Sequence, residues 1–283
     1  MAIKANDFRN NRERFYLVVM LAIGATLWVC ILWSIFRHWA DPKIGHTIRT
    51  LTEYGVAFLL ASWFASAIYR ASAFGNMVLL GPNQFPELHS MVVDGAREIG
   101  LDEPPTTFLY NSNGVYNAFA RRLLGGKYIF LTSALVEANN DRQVSFIIGH
   151  ELGHHAAGHL NPWLNAVKFP AHLVPFLGKA YSRSREYTCD RIGAALSKDI
   201  TESCRALQML GCGCRRLNAS MDCDAFAAQE DLVPGLFGFL AEINRSHPRL
   251  TRRITKITGQ KPPHGFRNMQ QVEPEFRITE LSQ

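Results

Sequence analysis

The segment His150-Glu151-Leu152-Gly153-His154 combines residue types and a spacing that suit metal chemistry. On an α-helix, positions i and i+4 lie on the same face, so the two imidazoles can converge on one ion. Glu151 follows the first histidine directly and can reach a water molecule bound to that ion. Two histidines with an adjacent glutamate base are typical of zinc hydrolases. Because HExxH specifies only three positions, chance occurrence remains an alternative that the surrounding sequence must exclude.

The residues before this segment predict the helix that its geometry requires. Asp141 is a candidate N-cap, and it precedes an apolar stripe at helical spacing: Val144, Ile147, Ile148. Gly149 and Gly153 each cost about 1 kcal/mol in a helix relative to alanine. We interpret these two glycines as a sign that another backbone or a substrate comes close.

A second pair of histidines, His155 and His159, is also spaced by four residues. Ala156 stands where an adjacent glutamate would be needed, so this pair has no base. The two histidines can hold a metal in principle, but we favour a position on the helix surface or in support of the metal-binding residues.

Two histidines leave a catalytic zinc site incomplete, because such sites usually have three protein ligands and an open position for water. The longer pattern HExxHxxGxxH is excluded, since Ala157 and Leu160 occupy the required positions. Further along the chain, Glu186 and Asp190 are four apart and share a helix face. One carboxylate can bind the metal while the other accepts the N–H of a metal-binding histidine. The alternative is a pair of ordinary surface acids.

Four segments, in this order along the chain, carry a resemblance to a known family. They are Asn117-Ala118-Phe119-Ala120, the HExxH segment, Ser184 to Asp190, and Ser246-His247-Pro248 with Arg253-Ile254. They resemble the NAFA, HExxH, SRxxExxAD and HPxxxxRI segments of the M48 zinc metallopeptidases, which include HtpX-like, Oma1-like and Ste24-like membrane proteases. Cys189 stands where alanine is usual in the third segment.

The resemblance implies a zincin-like fold of the gluzincin type, with one zinc ion per chain held by three residues: His150, His154, Glu186. It also implies that Glu151 is the catalytic base and that Asp190 supports a zinc-binding histidine. Asn117 and His247 are expected to face the substrate or the transition state. Arg253 falls on the last segment and is expected to brace the active-site helices through a carboxylate.

The interval from Leu160 to Tyr181 departs from the HtpX-like pattern, which has a second pair of membrane segments there. Here the interval contains three prolines and two lysines, so it has no uninterrupted apolar run of about 20 residues. Its numerous apolar residues either cover the domain core, which we favour, or dip into the membrane interface. The many membrane segments of Ste24-like proteins are also absent from this sequence.

The N-terminal region predicts membrane attachment. After a basic segment at residues 1–14, Phe15 to Phe36 is uncharged and long enough to cross about 30 Å of hydrocarbon. It is too long for the apolar region of a signal peptide and lacks a small-residue cleavage site. Tyr54 to Tyr69 is a shorter candidate for a second span.

Two observations predict that the catalytic domain lies in the cytosol. The segment 1–14 contains four Lys or Arg, against three in the loop 37–53, which favours a cytosolic N-terminus. Two spans then return the chain to the same side. Five cysteines in the soluble part leave one unpaired, and Cys212-Gly213-Cys214 is too close for an ordinary disulfide. These features favour reduced thiols.

The rest of the chain predicts one zinc metallopeptidase domain at residues 80–258, followed by a tail at 259–283. Its fold class is mostly α, with a small β-sheet beside the metal helix. A helix is predicted at Pro86–Ile99, and strands at three places: Thr106–Tyr110, Val115–Phe119, Lys127–Thr132. The net charge of +6 comes with no nucleic-acid motif, so nucleic acid is not an expected partner. No feature of the sequence indicates an oligomeric state.

The sequence therefore predicts a membrane-anchored zinc endopeptidase that hydrolyses unfolded or membrane-associated proteins. Its expected partners are protein or peptide substrates and the lipid bilayer. Two alternatives stay open. One is a latent or non-catalytic membrane scaffold that binds zinc, and the other is a processing protease with a single substrate.

Overall fold

The computed structural model describes residues 4–259, so the predicted tail lies outside the described residues except for Gly259. The chain begins with helices that precede the catalytic region: α1 (Ala5–Phe8), α2 (Asn11–His38), α3 (Gly45–Asn76). A mixed α and β region follows: β1 (Val78–Leu79), α4 (Pro86–Glu98), β2 (Thr106–Tyr110), β3 (Ala118–Leu123), β4 (Gly126–Thr132), α5 (Ser133–Ala138). The fold class is thus mostly α with one small sheet, as predicted.

The remaining described residues form helices. They are α6 (Asp141–Ala156), α7 (Pro162–Lys168), a 3₁₀ turn (Phe169–Leu173), α8 (Leu177–Ser197), α9 (Ile200–Cys212), α10 (Arg215–Ser220), α11 (Cys223–Ala228), a 3₁₀ turn (Gln229–Leu232), α12 (Gly235–Ile243) and α13 (Leu250–Thr258). The HExxH segment lies in α6, and the segment with Glu186 and Asp190 lies in α8.

The sheet has the strand order β1-β2-β4-β3, which leaves β3 at an edge, beside α6. Strands β2 and β4 are parallel, and the other pairs are antiparallel. The prediction for β2 is confirmed, and β4 begins one residue earlier than predicted. The predicted strand at Val115–Phe119 is misplaced, because Asn113 and Gly114 adopt positive φ in a turn and pairing starts only at Ala118. Arg121 and Arg122 continue β3 and are exposed, so the second half of the strand lacks the apolar pattern that predicts a strand from the sequence.

Helices α6 and α8 pack backbone against backbone. A Cβ atom added to Gly149 would lie 2.9 Å from the Cα atom of Gly193, and one added to Gly193 would lie 2.6 Å from the carbonyl oxygen of Phe146. A Cβ on Gly153 would lie 3.3 Å from the Cα atom of Cys189. The expected reason for glycines beside the histidines is therefore confirmed, since a second helix passes directly over them.

The N-cap of α6 is Asn140 rather than Asp141, which is the first helical residue. The Asn140 side chain accepts a hydrogen bond from the Gln143 backbone N–H, and the Gln143 side chain accepts one from the Asn140 N–H. This reciprocal pair satisfies two backbone donors that would otherwise lack partners. The helix therefore starts where the periodic pattern indicated, with a different capping residue.

Helices α2 and α3 are long and apolar enough to cross a membrane, with mean hydropathies of 2.5 and 1.4 over their best windows. Helix α3 is longer than the predicted span at 54–69. The first turns of α2 pack against the catalytic region, where Glu13 and Met20 are fully buried. In the last turn of α3, Ala73 packs against the sheet.

The interval between α6 and α8 lies along α2 rather than over the core. The Trp28 indole N–H donates to the Ala166 carbonyl at 2.8 Å. The favoured expectation that this interval covers the core is wrong for its largest residues, since Trp163 is 81% exposed, Phe169 67% and Leu173 80%. Small residues such as Ala171 face α2 instead, which leaves the large apolar side chains on the outside.

Candidate functional site

The two histidines of the HExxH segment and Glu186 converge on one point. The His150 Nε2 atom lies 3.4 Å from one Glu186 carboxylate oxygen, and the His154 Nε2 atom lies 3.7 Å from the other. Ligand atoms in a tetrahedral zinc site with bonds of about 2.1 Å are about 3.4 Å apart. The nitrogen and oxygen donors therefore fit a zinc ion in chemistry and in spacing.

Cys189 is the other candidate ligand near the histidines, because its sulfur and the rings of His150 and His154 offer atoms within 4.8 Å of one another. Its sulfur, however, lies 3.5 Å from Nδ1 of His159, and that nitrogen bonds to Nδ1 of His154. The thiol is thus on the Nδ1 side of the ring, opposite the Nε2 atom that meets Glu186. Burial also raises the Cys189 pKa. Glu186 is the better third ligand.

Asp190 connects the first histidine to an arginine. Its carboxylate accepts from His150 Nδ1 at 2.9 Å, and from the Nε and Nη2 atoms of Arg253 at 2.8 and 2.6 Å. Burial by itself lowers the His150 pKa, but the hydrogen bonds to Asp190 and Glu186 outweigh it and raise the pKa to about 10. Nδ1 faces Asp190 and Nε2 faces Glu186, so the ring is oriented for metal binding, although Nε2 has to lose its proton before it can act as a ligand.

Glu151 is buried beside these residues on α6. Burial raises its pKa to about 7, against the opposing influence of His150 and of the Ala120 backbone. A carboxylate with a pKa near neutrality can both accept and return a proton at physiological pH. This is the electrostatic environment that a general base needs.

His154 is held by a chain of hydrogen bonds that reaches α2. Its Nδ1 atom lies 3.0 Å from Nδ1 of His159, and the Nε2 atom of His159 lies 3.1 Å from a Glu13 carboxylate oxygen. One tautomer pair satisfies both contacts: His154 donates through Nδ1–H, and His159 donates through Nε2–H to Glu13. Nε2 of His154 then keeps its lone pair for a metal.

Glu13 is itself held in place inside the protein. Arg9 donates to its carboxylate at 2.8 Å, and the Thr188 hydroxyl donates to its second oxygen. Burial alone raises the Glu13 pKa, but the hydrogen bond from His159 and the remaining contacts outweigh it, so the pKa is lowered. Glu13 was missed in the sequence because it precedes a membrane span by two residues. The available signal was one of only two acids, Asp7 and Glu13, within a basic segment.

The second histidine pair does not share a helix face, because α6 ends at Ala156 and His159 lies in the turn after it. Both side chains are buried, so the surface interpretation is wrong. His155 contacts the Tyr128 carbonyl at 3.1 Å through Nε2, which ties α6 to β4. Only His159 reaches the site.

The converging residues open onto a cavity of about 600 Å³. Asn117 and His247 both line it, as does Arg253. The His247 side chain is 65% exposed, and its Nε2 atom lies 3.7 Å from Glu186. The structure therefore brings every predicted catalytic, metal-binding and supporting residue to one cleft or into contact with its walls.

The edge strand β3 borders this cleft. The backbone of Asn117 bonds toward β4, through its carbonyl to the Thr132 N–H and through its N–H to the Thr132 hydroxyl. Because backbone groups alternate in direction along a strand, those of Ala118 and Ala120 point to the open edge. Burial raises the Glu151 pKa, and the Ala120 backbone is close enough to Glu151 to oppose this effect. This edge can accept an extended peptide next to Glu151.

Known proteins resemble this chain over the same region. Peptidase family M48 matches residues 82–166 and 162–261. The chain is 29% identical over 213 residues to a plastoglobule-localized metallopeptidase 48 of Arabidopsis thaliana, covering 69% of this chain and 60% of that protein. It is 27% identical over 233 residues to a protease HtpX homolog of Pyrobaculum aerophilum, covering 64% and 63%. The chain thus spans about 60% of the length of both relatives.

Among solved structures, the crystal structure of S. mikatae Ste24p is similar, with a TM-score of 0.49 and 17% identity over 84% of this chain and 64% of that one. The family match is the stronger finding, because it covers more than half of the chain and includes every residue from His150 to Arg253 described above. The chain therefore belongs to peptidase family M48, a family of metal-dependent proteases.

Proposed function

We propose that this protein is a membrane-anchored zinc endopeptidase that cleaves unfolded or membrane-associated proteins. The observation that carries the proposal is the position of the Glu186 carboxylate, which lies against the Nε2 atoms of both HExxH histidines. Glu151 lies on α6, the same helix as those two histidines. These three donors match the two-histidine, one-glutamate set of a catalytic zinc site with an open position. The cleft beside them has room for a peptide.

Zinc held by His150, His154 and Glu186 would acidify water and polarise the peptide carbonyl. Glu151 takes the proton from the attacking water on its carboxylate and passes it to the leaving amine, a role that fits its pKa of about 7. Asn117 and His247 line the same cleft and are placed to contact the substrate or the oxyanion that develops on the carbonyl.

The open edge of β3 supports a preference for extended chains. Main-chain hydrogen bonds to Ala118 and Ala120 do not depend on the side chains of the substrate. Unfolded segments can adopt the extended conformation that such pairing needs, whereas folded domains cannot. A general role in protein quality control follows from this mode of recognition.

The membrane placement is supported by two apolar helices whose side chains are mostly exposed. Arg9 and Asn10 before α2 and residues at the end of α3 both contact the folded region that follows α3, so both helices project from the same side of it. Two crossings satisfy this arrangement. The basic N-terminal segment supports a cytosolic location for that side.

The test is cleavage of unfolded casein by the full chain in detergent, with and without zinc. Glu151→Gln keeps the size of the side chain but cannot accept the proton, so we expect zinc content to be retained and the cleavage rate to fall by about 10²–10⁴-fold. Glu103→Gln is the matched control, because Glu103 is exposed and distant from the cleft; its rate should equal that of the wild type. Cleavage by Glu151→Gln at the wild-type rate would refute the mechanism.

Two other results would select the alternatives. A zinc-loaded wild-type protein that leaves casein intact, but cleaves one membrane protein when tested on isolated membranes, would be a dedicated processing protease. A zinc-loaded protein without Glu151-dependent cleavage of either substrate would be a scaffold.

A further inference from the structure

A second cavity, of about 460 Å³, lies between α7, the 3₁₀ turn after it, the start of α8 and the loop after α12. Four basic side chains line it: Lys168, His172, Lys179, Arg185. No carboxylate is among the described residues of its walls. We call it the basic cavity. Its electrostatic environment suits an anion, since four basic side chains face one space without an acid.

The two innermost cations of the basic cavity lack counter-charges. Lys168 is 2% exposed, and its Nζ atom donates to the Tyr181 hydroxyl at 3.2 Å. The Arg185 guanidinium donates to the Ser182 hydroxyl at 3.2 Å, and its buried Nε atom has no hydrogen-bond partner. Within residues 4–259, neither Lys168 nor Arg185 forms an ion pair with a carboxylate. Lys168 is a buried cation without an anion, and Arg185 beside it is partly buried, so an anion bound between them would stabilise the protein.

The charges also affect one another. Burial and the neighbouring Arg185 lower the Lys168 pKa to about 8, while Glu13 opposes this at longer range. Glu13 is already engaged by Arg9, His159 and Thr188 and does not neutralise the cavity. An anion placed between Lys168 and Arg185 would relieve their repulsion.

The basic cavity lies at the level where α2 would enter the membrane. Tyr181 and Ala171 pack in one cluster with Met20 of α2. Met20 is five residues beyond Phe15, the start of the predicted span, which is about 8 Å along a helix axis. Phe176, which lines the cavity, is exposed to solvent. Phospholipid headgroups lie at the near end of this span, within about 8 Å of the level of Met20 along the helix axis.

We propose that the basic cavity binds the phosphate of an anionic phospholipid headgroup, with the acyl chains on the exposed apolar residues beside it. The proposal rests on the membrane placement of α2 proposed above. Lys179, Asn244 and Ser246 line both the basic cavity and the catalytic cleft. A bound lipid therefore shares a wall with the substrate and couples the composition of the membrane to the shape of the cleft.

The experiment measures the thermal unfolding midpoint of the full chain in a neutral detergent, at constant ionic strength because surface charges are screened by salt. Three probes are titrated: dihexanoyl phosphatidylglycerol, dihexanoyl phosphatidylcholine and inorganic phosphate. We expect a saturable rise of the midpoint with phosphatidylglycerol and a much smaller rise with the other two, because only the first has both an anionic headgroup and acyl chains.

Lys168→Met tests the site itself. Removing an unpaired buried charge should leave the midpoint without lipid equal to or above that of the wild type, and should abolish the saturable rise with phosphatidylglycerol. Lys256→Met is the matched control, since Lys256 is exposed on α13 outside the cavity, and it should retain the full rise. Lys179→Gln removes an exposed charge without risk to folding and should weaken apparent affinity about fivefold.

A rise with phosphatidylglycerol that persists undiminished in both Lys168→Met and Lys179→Gln would overturn the site. An equal rise with phosphatidylcholine would overturn the requirement for an anion. An equal rise with inorganic phosphate would overturn the lipid and leave a site for free phosphate. The experiment measures lipid binding and not cleavage. It therefore tests the lipid site even if the protein fails to cleave casein.

Discussion

At the scale of single residues, the site is held by two hydrogen-bond chains that end in carboxylates. Asp190 orients His150 from within α8, the helix that also carries Glu186. Glu13 orients His154 through His159 from the start of the membrane helix. Each chain leaves an Nε2 atom facing Glu186, so the ring orientations of both histidines are set before a metal binds. Helix α2 thereby contributes to the hydrogen bonding that orients these histidines.

The prediction at this scale concerns Glu13→Gln, which keeps the shape of the side chain but removes its charge. Loss of a carboxylate behind a metal-binding histidine typically weakens metal affinity by about 10–100-fold. We expect a loss of this size in zinc affinity, measured by competition with a chromophoric chelator. Asp7→Asn is the matched control, because Asp7 is an exposed acid in the same segment. Zinc affinity of Glu13→Gln equal to that of both the wild type and Asp7→Asn would contradict the assignment.

At the scale of elements, α6 and α8 form one unit because glycines allow their backbones to touch. The interval between them forms α7 and a 3₁₀ turn that lie along α2, with large apolar side chains directed outward. Soluble surfaces seldom expose a contiguous group of such residues. Beside a membrane helix, this group is in a position to enter the bilayer interface.

The prediction at this scale uses the fluorescence of Trp163. In a protein whose other four tryptophans are replaced by phenylalanine, reconstituted into bilayers with brominated acyl chains, we expect strong quenching of Trp163 emission. Leu217→Trp, combined with Trp163→Phe in the same background, places the probe on α10, which packs against α9 and not against α2. This control should show little quenching. Equal emission of Trp163 in brominated and ordinary lipids would exclude contact with the membrane.

At the scale of the whole molecule, the contacts made directly before α2 constrain the topology. Arg9 and Asn10, directly before α2, donate hydrogen bonds to the Ala157 carbonyl and the Thr188 hydroxyl, so both parts of the chain must lie on the same side of any membrane that α2 crosses. A single crossing would separate them. A second crossing by α3 would satisfy this constraint, and its 32 residues are long enough for it.

The prediction at this scale is made for epitope tags in sealed membrane vesicles of one orientation. Tags before Met1 and after Gln283 should be accessible to antibody from the same face, and a tag inserted at Asp41, in the loop between α2 and α3, only from the opposite face. Accessibility of the two terminal tags from opposite faces would contradict the two-crossing arrangement.

The sequence by itself determined the local features of this protein. The i, i+4 spacing of His150 and His154, the uncharged run from Phe15 to Phe36 and the apolar periodicity of most elements depend only on neighbouring residues, so they predicted the metal helix, the anchor and the mostly α fold. Glu186 was found as well, because it lies within a recognisable segment of α8.

Only the tertiary structure decided which distant residues complete these features. Glu13 and His159 are 146 positions apart and meet because α2 packs against α8, a contact that no local pattern records. The basic cavity likewise forms because Lys168 and Arg185 come together around Tyr181. Local periodicity specifies which face of a helix is apolar, whereas the partner of each polar group depends on how the helices pack, which is a property of the whole chain.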